Sequence, residues 1–254
     1  MRTIKHHSRK ENFMHGRITT RRIAITVVAG AATLAVLAPA ASAAAATVHP
    51  TQAAARADAK LAAELTVAGY TTYLKHQKTP EAKKALQSFL KLPAGKQARF
   101  VKYLQNRDIY KALINQTKGN FNRQLKVVDP YNADVKFVTE VTAKSVKGKS
   151  TQQISFTVTE TIFNIPVTSE TVNLRYDVVK GKVTGTPRAA SDVKNINAAI
   201  TIHKGTVGAV NTGVATASTT WKATPRLKSF GKGVDKVQEV AGHTGTWKAK
   251  LANR

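Results

Sequence analysis

The stretch Thr171–Val179, TVNLRYDVV, decides the fold. Val172, Leu174, Tyr176 and Val178 alternate with Asn173, Arg175 and Asp177. A period of two puts the apolar set on one face of a strand and the polar set on the other. Working upstream, TQQISFTVTETIF (151–163) repeats the pattern with Ile154, Phe156, Val158 and Ile162, and DVKFVTEVTAK (134–144) offers Val135, Phe137 and Val141. Threonine fills many of the outward positions, as a half-solvated antiparallel sheet prefers.

Downstream, the period extends through two copies of TWKA, which hold both tryptophans of the chain, Trp221 and Trp247. In VATASTTWKAT (214–224) Trp221 shares a face with Ala215, Ala217, Thr219 and Ala223. In TGTWKAKLAN (244–253) Trp247 shares one with Ala249 and Leu251. Small and apolar neighbours mark an inward face, so both indoles are expected in a core rather than on a stacking platform. The flanks of the two copies differ, which excludes a repeat architecture.

Between the strands lie VKGKS (146–150) and VKGKV (179–183). Glycine between two strand patterns is first a hairpin turn, and the flanking lysines then add to the field at the turns. Glu160 and Glu170 flank another expected turn. Glycosidase chemistry on that pair requires a carboxylate separation that sequence does not supply.

Ahead of Gly119 the period is helical. TQAAARADAKLAAELTVAGYTTYLKHQ (51–77) is alanine-rich, with Leu61 and Leu65 four apart. TPEAKKALQSFLKL (79–92) places Thr79 as N-cap, Pro80 in the first helical position and Glu81 against the helix dipole, with Leu86, Phe89 and Leu90 inward. PAGKQARFVKYLQN (93–106) buries Phe100, Val101 and Leu104, and DIYKALINQ (108–116), capped by Asp108, buries Ile109, Leu113 and Ile114. Short connections imply a bundle of antiparallel neighbours.

The N-terminus is organised as an export leader. Arg17, Arg21 and Arg22 precede an apolar run, IAITVVAGAATLAVL (23–37), then Pro39, with Ala41 and Ala43 at the small-residue positions of a cleavage site after Ala43. Fifteen residues rise about 22 Å as a helix, short of a hydrocarbon core of roughly 30 Å. The pair Arg21-Arg22 leaves both the general secretory and the twin-arginine routes open. With no cysteine in the chain, an exported fold rests on burial and hydrogen bonding alone.

The chain of 254 residues has a formal charge of +26, and residues 44–254 keep +20 of it. Such a domain attracts polyanions, and salt screens that attraction. Outside a cell the partners on offer are anionic envelope polymer, acidic polysaccharide, acidic lipid surfaces and released nucleic acid. The leader, the alanine- and threonine-rich chain and the missing cysteines look like those of an exported Gram-positive, actinobacterial protein.

Chemistry-bearing motifs are absent. There is no G-x-S-x-G elbow, H-E-x-x-H helix, phosphate-binding P-loop or cysteine nucleophile. His49, His76, His203 and His243 have no ligand spacing, and a catalytic pairing of His203 or His243 with Asp192 or Asp235 requires tertiary structure to join them.

These observations predict an α+β chain, with a leader over 1–43, a small helical bundle within 44–118 and a mainly antiparallel β-sheet or sandwich over 119–254. A helical layer ahead of long strands is also similar to the NTF2-like fold, for which the strand region is too long. The expected function is secreted, possessing no catalytic residue, cofactor or metal: a cationic protein adhering to an anionic cell-wall or other extracellular polymer through Lys147, Lys149, Lys180, Lys182, Lys222, Lys248 and Lys250. An antimicrobial effector acting on envelopes, and an inhibitor or hydrolase with a cryptic site, are the alternatives.

Overall fold

The computed structural model describes residues 62–146 and 149–254. The leader with Ala41 and Ala43, the helical expectation before residue 62, and Lys147 lie outside the described residues. The described chain is mixed α+β and mostly β. Four helices come first: α1 (Val67–His76), α2 (Pro80–Leu90), α3 (Ala94–Leu104) and α4 (Arg107–Ala112). Eleven strands follow, from β1 (Asn115–Asn120) to β11 (Thr246–Asn253).

The helix starts follow from local chemistry. Thr66 Oγ1 accepts from Gly69 N at 3.0 Å to cap α1, and Thr79 accepts from Ala82 N at 3.2 Å to cap α2, with Pro80 in its first turn. For α4 the cap is Asn106, which accepts from Asp108 N at 3.0 Å. Asp108 is therefore a first-turn carboxylate rather than the cap expected from sequence. The rings of Tyr70, Phe89 and Phe100 meet with centroids 5.1 to 5.5 Å apart and form the bundle's centre. Leu90 and Ile114, expected inside, are about half exposed, at 53% and 49%. Phe89 takes the inward position at the end of α2. Ile114 falls where the helical period gives way to β1, so its helical face no longer exists.

The strands form two antiparallel sheets. A five-stranded meander runs β2 (Arg123–Pro130), β3 (Val135–Ser145), β4 (Thr151–Ile162), β5 (Ile165–Val179), β6 (Lys182–Asn195). The six-stranded sheet has the order β1-β11-β10-β9-β7, with β10 (Val234–Gly242), β9 (Ala215–Pro225) and β7 (Ile200–Lys204), and β8 (Gly208–Asn211) continues the β7 edge along β9. Two facing sheets replace the single curved sheet that the NTF2-like comparison implies. The tight turns behave as read: Lys180 and Gly181, with φ of 48° and 74°, join β5 to β6, and Phe163 and Asn164, at 49° and 62°, join β4 to β5.

The inner faces carry the expected apolar rows. Ile154, Phe156, Val158, Val172, Leu174 and Tyr176 come from one sheet, and Ala217, Trp221, Val240 and Leu251 from the other. Trp221 is fully buried and Trp247 is 3% exposed. Their indole nitrogens donate to Gln238 Oε1 at 2.8 Å and to Asn120 O at 3.0 Å. Both are core residues, each with its one donor satisfied.

The two ends of the sandwich differ. At one end the helices cover it: Asn197 Nδ2 donates to Leu104 O at 3.0 Å, and Arg107 Nε donates to Lys232 O at 3.0 Å. At the other end, among the described residues, turns meet. Phe121 N donates to Gly245 O at 3.3 Å, Val178 N to Ser150 O at 2.8 Å, Gln152 Nε2 to Thr244 O at 2.9 Å and Asn211 Nδ2 to Gly185 O at 3.1 Å.

Candidate functional site

Three places hold polar chemistry: a buried ionic cluster under the helices, the turn end of the sandwich, and the outer faces of the sheets.

The cluster joins β4, β5 and β10 to α4. Glu160, Glu170, Lys236 and Gln238 are each at most 1% exposed. Tyr110 Oη donates to Glu170 Oε1 at 2.5 Å, and Thr168 Oγ1 donates to Glu160 Oε2 at 3.3 Å. The Lys236 ammonium lies 4.5 Å from the centre of the Tyr110 ring and donates to Leu113 O. Gln238 accepts from Trp221 and donates to Phe156 O and Glu170 O at 3.1 and 3.2 Å, tying the two sheets together. Burial pushes Glu160 up to about 7 against the pull of Thr168 and Lys236, and it raises Glu170 as well. Burial brings Lys236 down to about 8, with the two carboxylates opposing that drop.

The sequence singles out Glu160 and Glu170 as a pair but not Lys236 and Gln238, although a signal for all of them is present. Glu160 is in phase with Ile154, Phe156, Val158 and Ile162, and Lys236 and Gln238 are in phase with Val234 and Val240. A charge on a buried row needs partners: Tyr110 serves one oxygen of Glu170 and Thr168 one of Glu160, while Glu170 Oε2 has no partner among the described residues. Glu160 and Glu170 are sealed in the core and line neither surface hollow described below, so no glycoside reaches them. They join the cap to the sandwich.

At the turn end, the β3–β4 and β5–β6 hairpins lie side by side because β4 and β5 are neighbours. This brings Lys149, Lys180 and Lys182 together, all exposed, with exposed Lys144, Arg175 and Arg188 just behind them on the strands. The ion pairs among the described residues, Arg99–Asp134, Lys126–Glu140 and Lys194–Glu81, involve none of the six. The nearest acid along the strand, Asp177, already accepts from Thr151 Oγ1 at 2.6 Å.

The remaining predicted lysines are elsewhere. Lys248 and Lys250 are exposed on β11, where Lys248 stands directly opposite Lys118 of β1. With Gln116 and Glu239 they line an open hollow of about 520 Å³. Lys222 is exposed on β9 between His203 of β7 and Asp235 of β10, toward the helical end. The lysines expected to act together therefore form three separate groups.

His49 lies outside the described residues, and His203 and His243 are not brought together. His203 and His243 are both exposed, on the β7 edge and in the β10–β11 turn, about 26 Å apart along β10 at strand rise. Lys222 separates His203 from Asp235, and Asp192 is exposed on the other sheet opposite Thr171. Among the described residues no group of three or more His, Asp or Glu is placed to hold a metal ion, and no helix is long and apolar enough to cross a membrane.

A second groove, of about 660 Å³, opens between α2 and the outer face of the five-stranded sheet. Thr159, Thr161 and Ser169 floor it, and the ion pairs Glu81–Lys194 and Lys126–Glu140, both at 2.7 Å, stand at its sides. Known proteins supply no analogy for any of these places: no family model, curated protein or solved structure matches the chain.

Proposed function

We propose that this chain is an exported, non-enzymatic binding protein that adheres to anionic cell-envelope polymer through the turn end of its sandwich. The observation that carries the reading is the adjacency of the two lysine hairpins, backed by Lys144, Arg175 and Arg188, with no ion pair to any of the six among the described residues. Cations gathered at neighbouring turns focus a field outward, and salt screens it. The sealed carboxylates and the scattered histidines favour binding over catalysis.

The test is co-sedimentation of the chain from Ala44 to Arg254 with isolated Gram-positive cell walls at low and high salt. Binding at low salt, its loss at high salt and its weakening in the triple variant Lys149→Ser, Lys180→Asn, Lys182→Ser are the expected results. Walls that fail to retain the protein even at low salt overturn the reading.

A further inference from the structure

The register of the five-stranded sheet lays out its outer face row by row. Thr159 stands opposite Ser169, and Thr157 opposite Thr171 in a row that ends in Glu140, paired with Lys126, and in Asp192; the hydroxyl oxygens are 2.8 and 2.9 Å apart. The next row holds Thr142, Ser155 and Asn173, and the one after it Lys144, Gln153, Arg175 and Arg188. A hydroxyl-bearing track thus leaves the groove beside α2 and reaches the guanidinium pair about 20 Å away, six residues along β4 at strand rise.

Arg175 and Arg188 are directly opposed on neighbouring antiparallel strands. Like charges so placed destabilise a sheet. Both are exposed, and neither makes an ion pair or side-chain hydrogen bond among the described residues. An anion between them turns the repulsion into two charge-assisted contacts, and the forked guanidinium matches the oxygens of a phosphate. The hydroxyls of the track both donate and accept, which suits a ligand that itself carries hydroxyls. No aromatic residue occupies an outward position of these rows, so the face has none of the stacking platforms that single-stranded nucleic acid uses.

Resting on the function proposed above, we infer that the outer face of the five-stranded sheet is the polymer track and that its ligand is a polyol phosphate chain. The Arg175–Arg188 pair takes a phosphodiester, and the Thr/Ser rows take the polyol hydroxyls.

Titration calorimetry of the chain from Ala44 with synthetic poly(glycerol phosphate), and with inorganic polyphosphate of matched charge, tests this. The wild type is expected to prefer the glycerol polymer. Arg175→Ser with Arg188→Ser should weaken both by about tenfold or more, with an unchanged or higher melting temperature because a repulsion is removed. Thr157→Val, Thr159→Val and Thr171→Val together, which keep the β-branched shape, should weaken the glycerol polymer several-fold and leave polyphosphate unaffected. Equal wild-type affinity for the two polymers, arginine variants that bind as wild type, or valine variants that lose nothing overturn the inference, while the wall-binding reading stands on its own lysines. Failure of the wild type to bind either polymer at low salt removes both.

Discussion

Replacing Glu160 with glutamine should stabilise the protein at neutral pH and do progressively less in acid. The carboxyl is sealed between β4, β5 and the helical cap, and burial holds it at about 7 instead of the ordinary 4.5. A raised folded value means that folding favours the protonated form. The stability tied to that proton is fully present below the unfolded value and is lost as pH rises through the folded one. The gap between the two values corresponds to about 3 kcal/mol, of which about 2 kcal/mol falls between about pH 5 and pH 7.5. Glutamine imitates the protonated carboxyl and keeps an oxygen for Thr168. Glu160 is one of the charges that raise Lys236 against its burial, so the difference between the two proteins across this window reports the carboxylate together with its coupling to Lys236. Urea unfolding followed by fluorescence of Trp221 and Trp247 measures it. The variant should gain about 2 kcal/mol on the wild type from about pH 5 to pH 7.5. A constant difference across the window, or a variant that is the less stable at the upper end, refutes the account of the cluster.

Lys236→Met removes the cation that holds both carboxylates down, so Glu160 and Glu170 should rise further and the loss of stability from about pH 5 to pH 7.5 should be steeper than in the wild type. The same urea titration should show a smaller loss when Glu160→Gln is already present. Gly119→Ala should destabilise by about 1 to 3 kcal/mol through overpacking. A Cβ there would lie 2.5 Å from Trp247 Cζ2, and a lowered melting temperature with altered tryptophan fluorescence is the expected readout.

Local signals in the sequence carried most of the elements. Thr79-Pro80 set the start of α2, and the period of two around Val172, Leu174 and Tyr176 found β5, because caps and pleat act over a few residues. The change from helix to strand came earlier than the pattern suggested, at Asn115, because β1 is fixed by its pairing with β11 rather than by its own alternation. The lysine turns were legible as turn chemistry, but the opposition of Arg175 to Arg188 was not. It depends on how two long strands register across an irregularity beside Tyr176. The ionic cluster was half legible: its members sit in phase with apolar rows, and a template that counts only apolar residues discards them. That they meet Tyr110 is a tertiary fact with no trace in any short window.

The pairing of β1 with β11 also sets when folding can finish. The inner neighbour of the first strand is the last segment of the chain, with Asn115 aligned to Leu251 and Asn120 to Thr246. β1 therefore stays an unmatched edge until β11 has been made. Tyr110 and Leu113 likewise wait for Glu170 and Lys236. Closure that depends on contacts this distant in sequence is slow. The β2–β6 meander, whose strands pair in chain order, can close first, and the sheet of β1 and β11 closes onto it last.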